Sequence, residues 1–323
     1  MYRVLETLGE GGMGSVYRAH HSESGSEAAL KLLKPEFAQD EEARERFLRE
    51  ARTCMKVSHP NVVRILAAGE AGGRCYMALE LVEGGDAEEL LEDCPQGLPE
   101  QQALEIVRDC ARGLVAIEAA GLVHRDIKPG NIFLTDEGEA KLGDLGLARS
   151  ALGEDRMTVT GTVVGTPAFM SPEQACGESE LDVRTDVYSL GATLYCLLTG
   201  KHPFTGRSAW VIVKNVVNEP APDARELCPS LSEPTHALLK RTLAKSPEDR
   251  HRSAQALLNA LEAALRGEPD PNPPPLRRQG KRGVEGAPSE SSESSANTKL
   301  ILAALVILLV LAGLGYVLGS QSG

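Results

Sequence analysis

His124-Arg125-Asp126-Ile127-Lys128-Pro129-Gly130-Asn131, followed after twelve residues by Asp144-Leu145-Gly146, sets four polar groups at a spacing suited to nucleotide phosphoryl transfer. Such a reaction asks little covalent work of a protein. A hydroxyl nucleophile must be oriented, Mg2+ held, and the charge of the moving phosphoryl group spread. Asp126 can act as base, Lys128 as charge clamp and Asn131 as metal ligand from one short loop, with Asp144 as a second metal ligand. An isolated His-Arg-Asp triplet is an ordinary polar surface loop, but the full string with a spaced Asp-Leu-Gly is a far rarer coincidence.

The flanking chain supplies elements that could position these groups. Leu8-Gly9-Glu10-Gly11-Gly12-Met13-Gly14-Ser15-Val16 reads as a glycine-rich turn between strands Tyr2 to Leu8 and Ser15 to Ala19. Gly9, Gly11 and Gly14 would let the backbone approach phosphates closely. A dinucleotide-binding turn would instead open onto a helix with an acidic residue about 20 positions on, whereas Ser15-Val16-Tyr17-Arg18-Ala19 has strand character. A helix is expected over about Asp40 to Val57, burying Phe47, Ala51 and Cys54. Glu50 falls on the same face, and a carboxylate turned toward a core needs a cation, for which Lys31 is the natural choice. Further helical stripes run from Glu100 to Ala120, stopped by Gly121, and from Pro234 to Ala244.

In this order the motifs resemble the bacterial eukaryotic-like serine/threonine protein kinases. The resemblance implies an α+β, bilobal protein kinase fold within residues 1–266, with a β-rich N-lobe over 1–81 and an α-rich C-lobe over 84–262. It also implies ATP and Mg2+. Ala28-Ala29-Leu30-Lys31 resembles the family's V-A-I-K strand, with Ala28 in place of a bulkier first residue, and it makes Lys31, paired with Glu50, the clamp on the α- and β-phosphates. Cys75 to Gly85 resembles the strand and hinge between the lobes. Leu79 would then back the adenine pocket, backbone groups of Glu80 and Val82 would face the adenine edge, and Val16, Ala29 and Phe133 would cover its faces. Gly165 to Glu173 resembles the family's G-T-P-x-Y-M-S-P-E stretch, with Phe169 replacing tyrosine. By the same resemblance Glu173 pairs with Arg250, Lys128 and Thr166 mark a serine/threonine enzyme, and Asp186 anchors the catalytic loop through backbone N–H groups. A helix N-cap is the competing role for Asp186.

Asp144 to Glu173 has the length of an activation segment and carries Thr158 and Thr160. A phosphate on either would bring about −1.5 to −2 charges, and Arg125 beside the proposed base is its natural partner. Autophosphorylation of these threonines is therefore expected to switch the enzyme on.

A net charge of −12 and a pI near 5.2 argue against nucleic acid as a partner. Seven irregularly spaced cysteines fit reduced thiols rather than a disulfide frame or zinc site. Residues 267–299 are Pro-, Arg- and Ser-rich without apolar period and read as a disordered juxtamembrane linker, roughly 30 to 35 Å in average span. Residues 300–318 run without a charge for about 28 Å, the length of a transmembrane helix. Arg277, Arg278, Lys281, Arg282 and Lys299 precede this span, and residues 319–323, expected as a short extracytoplasmic tail, carry no charged side chain. The positive-inside rule then makes the chain a single-pass protein of the cell membrane with its catalytic domain in the cytoplasm, consistent with a start lacking a signal peptide. Gly315-x-x-x-Gly319 fits a small-residue helix contact and so a homodimer.

These features lead to a kinase that moves the γ-phosphate of ATP onto Ser or Thr hydroxyls of protein substrates. One rival is an inactive pseudokinase serving as a membrane scaffold, disfavoured because every catalytic position is filled. The other is a small-molecule phosphotransferase, disfavoured by the threonine-bearing segment and Gly165 to Glu173.

Overall fold

Alternating apolar residues near the N-terminus fold into one antiparallel sheet in the order β1-β2-β3-β5-β4, formed by β1 (Tyr2–Glu10), β2 (Gly14–His21), β3 (Glu27–Leu33), β4 (Ile65–Ala71) and β5 (Arg74–Leu79). The computed structural model describes residues 1–10, 14–34, 41–145 and 167–273. All of them belong to the compact unit spanning residues 1–275. The expectations for Gly11, Thr158, Thr160 and Thr166, and for the chain from 274 onward, including the 300–318 span, lie outside the described residues.

Strand period sorts the sheet's side chains onto two faces. Leu30, Ala19 and Ala78 form a small outer cluster, whereas Leu33, Cys75 and Met77 join the main core. Helix α1 (Glu41–Cys54) packs on β4 and β5 and buries Phe47, Ala51 and Cys54 at the spacing read from the sequence. The two glycine-flanked strands are longer than expected and pair with register shifts between Val4 and Glu6 and between Thr7 and Gly9, ending with Gly9 opposite Val16 and Glu10 opposite Ser15.

The connection to the helical lobe is drawn tight by backbone pairing. Gly84 N–H donates to Leu134 O at 3.0 Å, and Leu134 N–H returns to Gly85 O at 2.9 Å. A Cβ on Gly84 would stand 2.5 Å from Leu134 O, and Gly85 holds φ +76°, so glycine is required at both positions. Leu134 belongs to the short hairpin of β6 (Ile132–Leu134) and β7 (Ala140–Leu142). Val63 N–H donates to Leu142 O at 2.8 Å and Leu142 N–H to Asn61 O at 2.9 Å, which stitches the approach to β4 onto β7.

The second lobe comprises α2 (Ala87–Asp93), α3 (Glu100–Ala119), α4 (Pro172–Ala175), α5 (Val183–Thr199), α6 (Ala209–Asn218), α7 (Glu233–Thr242) and α8 (Ala254–Leu265). Every residue of α5 except Arg184 is buried, so this helix is the axis against which α3, α7 and α8 pack. Gly121, at φ +71°, ends the chain's run out of α3 as expected. Helix α5 starts earlier than the Asp186 N-cap reading requires. Asp182 is its cap and accepts from Arg184 N, which leaves the Asp186 side chain available inside the first turn.

Helix α8 ends at Leu265, but the chain beyond it does not immediately leave the lobe. Asp270 accepts from His251 Nε2 at 2.9 Å and pairs with Arg241. A largely buried guanidinium needs a counter-charge, and residues 267–273, expected as linker, provide it. Among the described residues no helix is long and apolar enough to cross a membrane.

Candidate active site

The loop from His124 to Asn131 is held from behind by Asp186. Its carboxylate accepts His124 N–H at 2.7 Å and Arg125 N–H at 2.8 Å, the contact expected of an anchor. Burial pushes the Asp186 carboxyl up to about 7, against the pull of these two donors and of Arg125. Arg125 sits at φ +67°, a left-handed conformation uncommon for a non-glycine residue. Strain of this kind persists only where surrounding contacts fix it, and here Gln174 Nε2 also donates to Arg125 O at 2.8 Å.

His124 is fully buried and ties the loop to the residue before Asp144. One ring nitrogen faces Gly143 O at 2.9 Å and the other faces Asp126 N–H at 3.4 Å. The carbonyl needs a donor and the amide an acceptor, which selects the neutral ring protonated at Nε2. Burial lowers the His124 pKa, in agreement. Asn131 completes the arrangement. Its Nδ2 donates to Asp126 O at 2.7 Å and to Asp126 Oδ2 at 2.9 Å, and its own carbonyl accepts from Gly143 N–H at 2.9 Å. Lys128 Nζ lies 3.9 Å from Asp126 Oδ2. Asp126, Lys128, Asn131 and Asp144 are thus drawn together around Gly143. Phe133 closes one side of that glycine, since a Cβ there would meet the ring at 2.4 Å.

Lys31 reaches into this group from β3, but with a partner different from the expected one. Its ammonium contacts both oxygens of Asp144, at 2.8 and 2.7 Å, and not Glu50. The two side chains are 17% and 33% exposed, so a partly buried ammonium has taken the carboxylate within reach. Glu50 is half-buried on α1 and is engaged elsewhere. Asp144 itself stands at φ +50°, the second left-handed non-glycine residue of the described chain.

Sheet register places the other nucleotide candidates beside Lys31. Val16 is opposite Lys31, and Ala29 is opposite Leu79. Alternation puts Ala29 and Lys31 on one sheet face, so Val16, Ala29, Leu79 and Lys31 share it. Glu80 follows directly, but its N–H is committed to Arg64 O at 2.8 Å, so only its carbonyl is left to face a base. Its side chain bridges the lobes, accepting Arg64 N–H at 3.1 Å and Lys141 Nζ at 2.6 Å. No local spacing in the sequence signals this partner, 61 positions from Glu80. Gly9 lies near the end of β1 and Gly14 opens β2, and Val82 lies in the connection between the lobes.

Below the loop, Glu173 and Arg250 form the expected pair, at 2.7 and 2.9 Å. Arg250 is wholly buried and also donates to the carbonyls of Arg184, Ala244 and Lys245, while Thr185 Oγ1 donates to Glu173. Burial would raise the Glu173 carboxyl, but the hydrogen bonds and charge of Arg250 outweigh it and hold the group below the ordinary carboxylate range. A depressed folded-state pKa contributes stability above the unfolded value that is lost as pH falls through the folded one. Acid denaturation of the parent followed by circular dichroism should therefore contain a Glu173 contribution below about pH 4.5, and Glu173→Gln should flatten that limb.

The donor set suits a hard divalent cation, because Asn131 and Asp144 offer oxygen ligands on adjacent, backbone-linked segments. The amide of Asn131 turns its nitrogen to Asp126, leaving its Oδ1 as the ligand atom.

Comparison with known proteins agrees with this geometry. The family model described as "Protein kinase domain" matches residues 2–260. Serine/threonine-protein kinase PknA of Mycobacterium tuberculosis is 36% identical over 293 residues, covering 89% of this chain and 67% of that protein. Serine/threonine-protein kinase PknJ of the same organism is 37% identical over 273 residues, covering 82% of this chain and 46% of that protein. A crystal structure of the M. tuberculosis PknI kinase domain aligns with a TM-score of 0.66 at 30% identity, over 82% of this chain and 96% of that one.

Proposed function

The chain belongs to the bacterial serine/threonine protein kinase family, and from that premise we propose the roles its residues play in moving the γ-phosphate of ATP onto a protein hydroxyl. Asp126 orients the substrate hydroxyl and accepts its proton as the oxygen bonds to phosphorus and the bond to the ADP oxygen breaks. Lys128 offsets the negative charge gathering on the phosphoryl oxygens. Lys31 holds the α- and β-phosphates, which requires it to release Asp144. Asn131 and Asp144 are the residues that would hold Mg2+, which supplies charge neutralisation on the phosphates. The observation that carries the reading is the convergence of Asp126, Lys128, Asn131 and Asp144 around Gly143, with Lys31 in contact. A panel of protein Ser/Thr acceptors and small alcohols tests it, and transfer confined to small alcohols would refute the protein-substrate reading.

Two further parts of the proposal rest on sequence. The charge-free run 300–318, preceded by five cationic residues, supports a single-pass anchor that keeps residues 1–266 at the cytoplasmic membrane face, with 267–299 as tether. Full-length protein should sediment with membranes while a chain ending at 299 stays in the supernatant; identical partition of the two would refute the anchor. Gly315-x-x-x-Gly319 supports a homodimer through that helix, to be given up if Gly315→Leu self-associates like the parent. Phosphorylation of Thr158 or Thr160, docked by Arg125, supplies the activating step.

A further inference from the structure

We propose that Glu88 is a specificity-determining residue that selects a Lys or Arg of the protein substrate close to the phosphoacceptor. The inference rests on the placing of Asp126 and Lys128 at the reacting hydroxyl.

Helix α2 begins with a capping box that uses two of its three nearby carboxylates. Asp86 accepts Glu88 N–H at 2.8 Å and Glu89 N–H at 3.0 Å, and Glu89 Oε2 accepts Asp86 N–H at 3.2 Å. Glu88 has no share in the cap beyond its backbone N–H. Its carboxylate extends instead over the catalytic loop, where α2 packs on residues 129–131. A Cβ built on Gly130 would stand 2.4 Å from Glu88 Oε2 and 3.6 Å from its Cδ. The place that a side chain at 130 would fill is therefore taken by the Glu88 carboxylate, two residues from Lys128 and four from Asp126.

That carboxylate is exposed, and among the described residues no Lys, Arg or His pairs with it. Its field reaches His202, whose ring packs edge-on against Phe169 at 5.1 Å between centroids. Helix α2 and the catalytic loop thus meet around this negative charge, two residues along the loop from Lys128. The four residues from Asp126 to Gly130 span at most about 14 Å, so an extended substrate places the matching cation within about four residues of its acceptor. A guanidinium or ammonium there gains a charge-assisted hydrogen bond, whereas a substrate carboxylate meets a like charge.

The test is kcat/KM of the full-length protein, as wild type, Glu88→Gln and Glu88→Lys, on peptides carrying Arg, Ala or Glu at each flanking position in turn. Wild type should favour Arg over Ala about tenfold at one position. Glu88→Gln should bring that ratio close to one, and Glu88→Lys should transfer the preference to Glu at the same position. Because Glu88 is exposed, unchanged melting temperatures are expected to accompany the change. Peptide phosphorylation by wild type with no Arg preference at any position, or with a preference that both variants retain, overturns the assignment of Glu88 while leaving the kinase reading intact. Failure of wild type to phosphorylate any peptide or protein overturns both.

Discussion

Asp126→Asn should lower kcat by about a thousandfold while leaving ATP affinity and melting temperature near those of the parent. The amide is the same shape as the carboxylate, and it keeps the backbone carbonyl that accepts Asn131 Nδ2 at 2.7 Å. It loses only the ability to accept a proton and to place negative charge 3.9 Å from Lys128 Nζ. Nucleotide contacts assigned to Lys31, Val16 and Ala29 come from the other lobe and remain in place. The effect therefore belongs in the chemical step, and it should appear in kcat without a matching change in the KM for ATP. Steady-state kinetics on a phosphorylatable protein, with ATP affinity measured separately, distinguishes this from a folding defect. A residual rate within tenfold of the parent would remove Asp126 from the role of base.

Glu173→Ala should cost roughly 3–5 kcal/mol of folding stability. Arg250 is 0% exposed, and Glu173 accounts for both bonds that neutralise it. The carbonyls of Arg184, Ala244 and Lys245 would still accept three of its N–H groups, but none of them carries a charge. A buried cation would be left without an anion. Thr185 would lose its acceptor as well, at the start of the helix whose Asp186 holds the catalytic loop. Urea denaturation should show the lower midpoint, and Glu173→Gln should fall between the two because it retains hydrogen-bond acceptance. A midpoint unchanged in Glu173→Ala would show that the pair contributes nothing.

What the sequence discloses and what it withholds follow from how far apart the interacting residues lie. His124 to Asn131 is readable because phosphoryl transfer demands fixed residue types at fixed spacing on one loop. Phe47, Ala51 and Cys54 are readable because a helix repeats every 3.6 residues. The partner of Lys31 is not readable in this way. Glu50 is 19 positions away and Asp144 is 113, and the choice between them depends on how α1 and the loop after β7 are placed against β3. Glu80 with Lys141 is hidden for the same reason. Asp186 reads equally as helix cap or as loop anchor along the chain, and the structure gives the cap to Asp182 and the loop to Asp186. Asp270 falls inside the expected linker because nothing in its own neighbourhood announces that the largely buried Arg241 lies beside it.

Glu88 shows a further limit of reading along the chain. Its significance comes from Gly130, 42 positions later, having no side chain of its own. Neither residue is informative until the fold brings them into contact.

The measurement that bears most directly on the central claim is the intact mass of the purified full-length protein after incubation with ATP and Mg2+, beside Asp144→Asn and Thr158→Ala/Thr160→Ala variants. Phosphate should be gained by the parent, mapping to Thr158 or Thr160, and not by Asp144→Asn. The double threonine variant should lose those phosphates together with most activity toward added protein. Equal phosphate gain by the parent and Asp144→Asn would contradict the assignment of this site, and no gain by either, with no transfer to any protein, would contradict kinase activity itself.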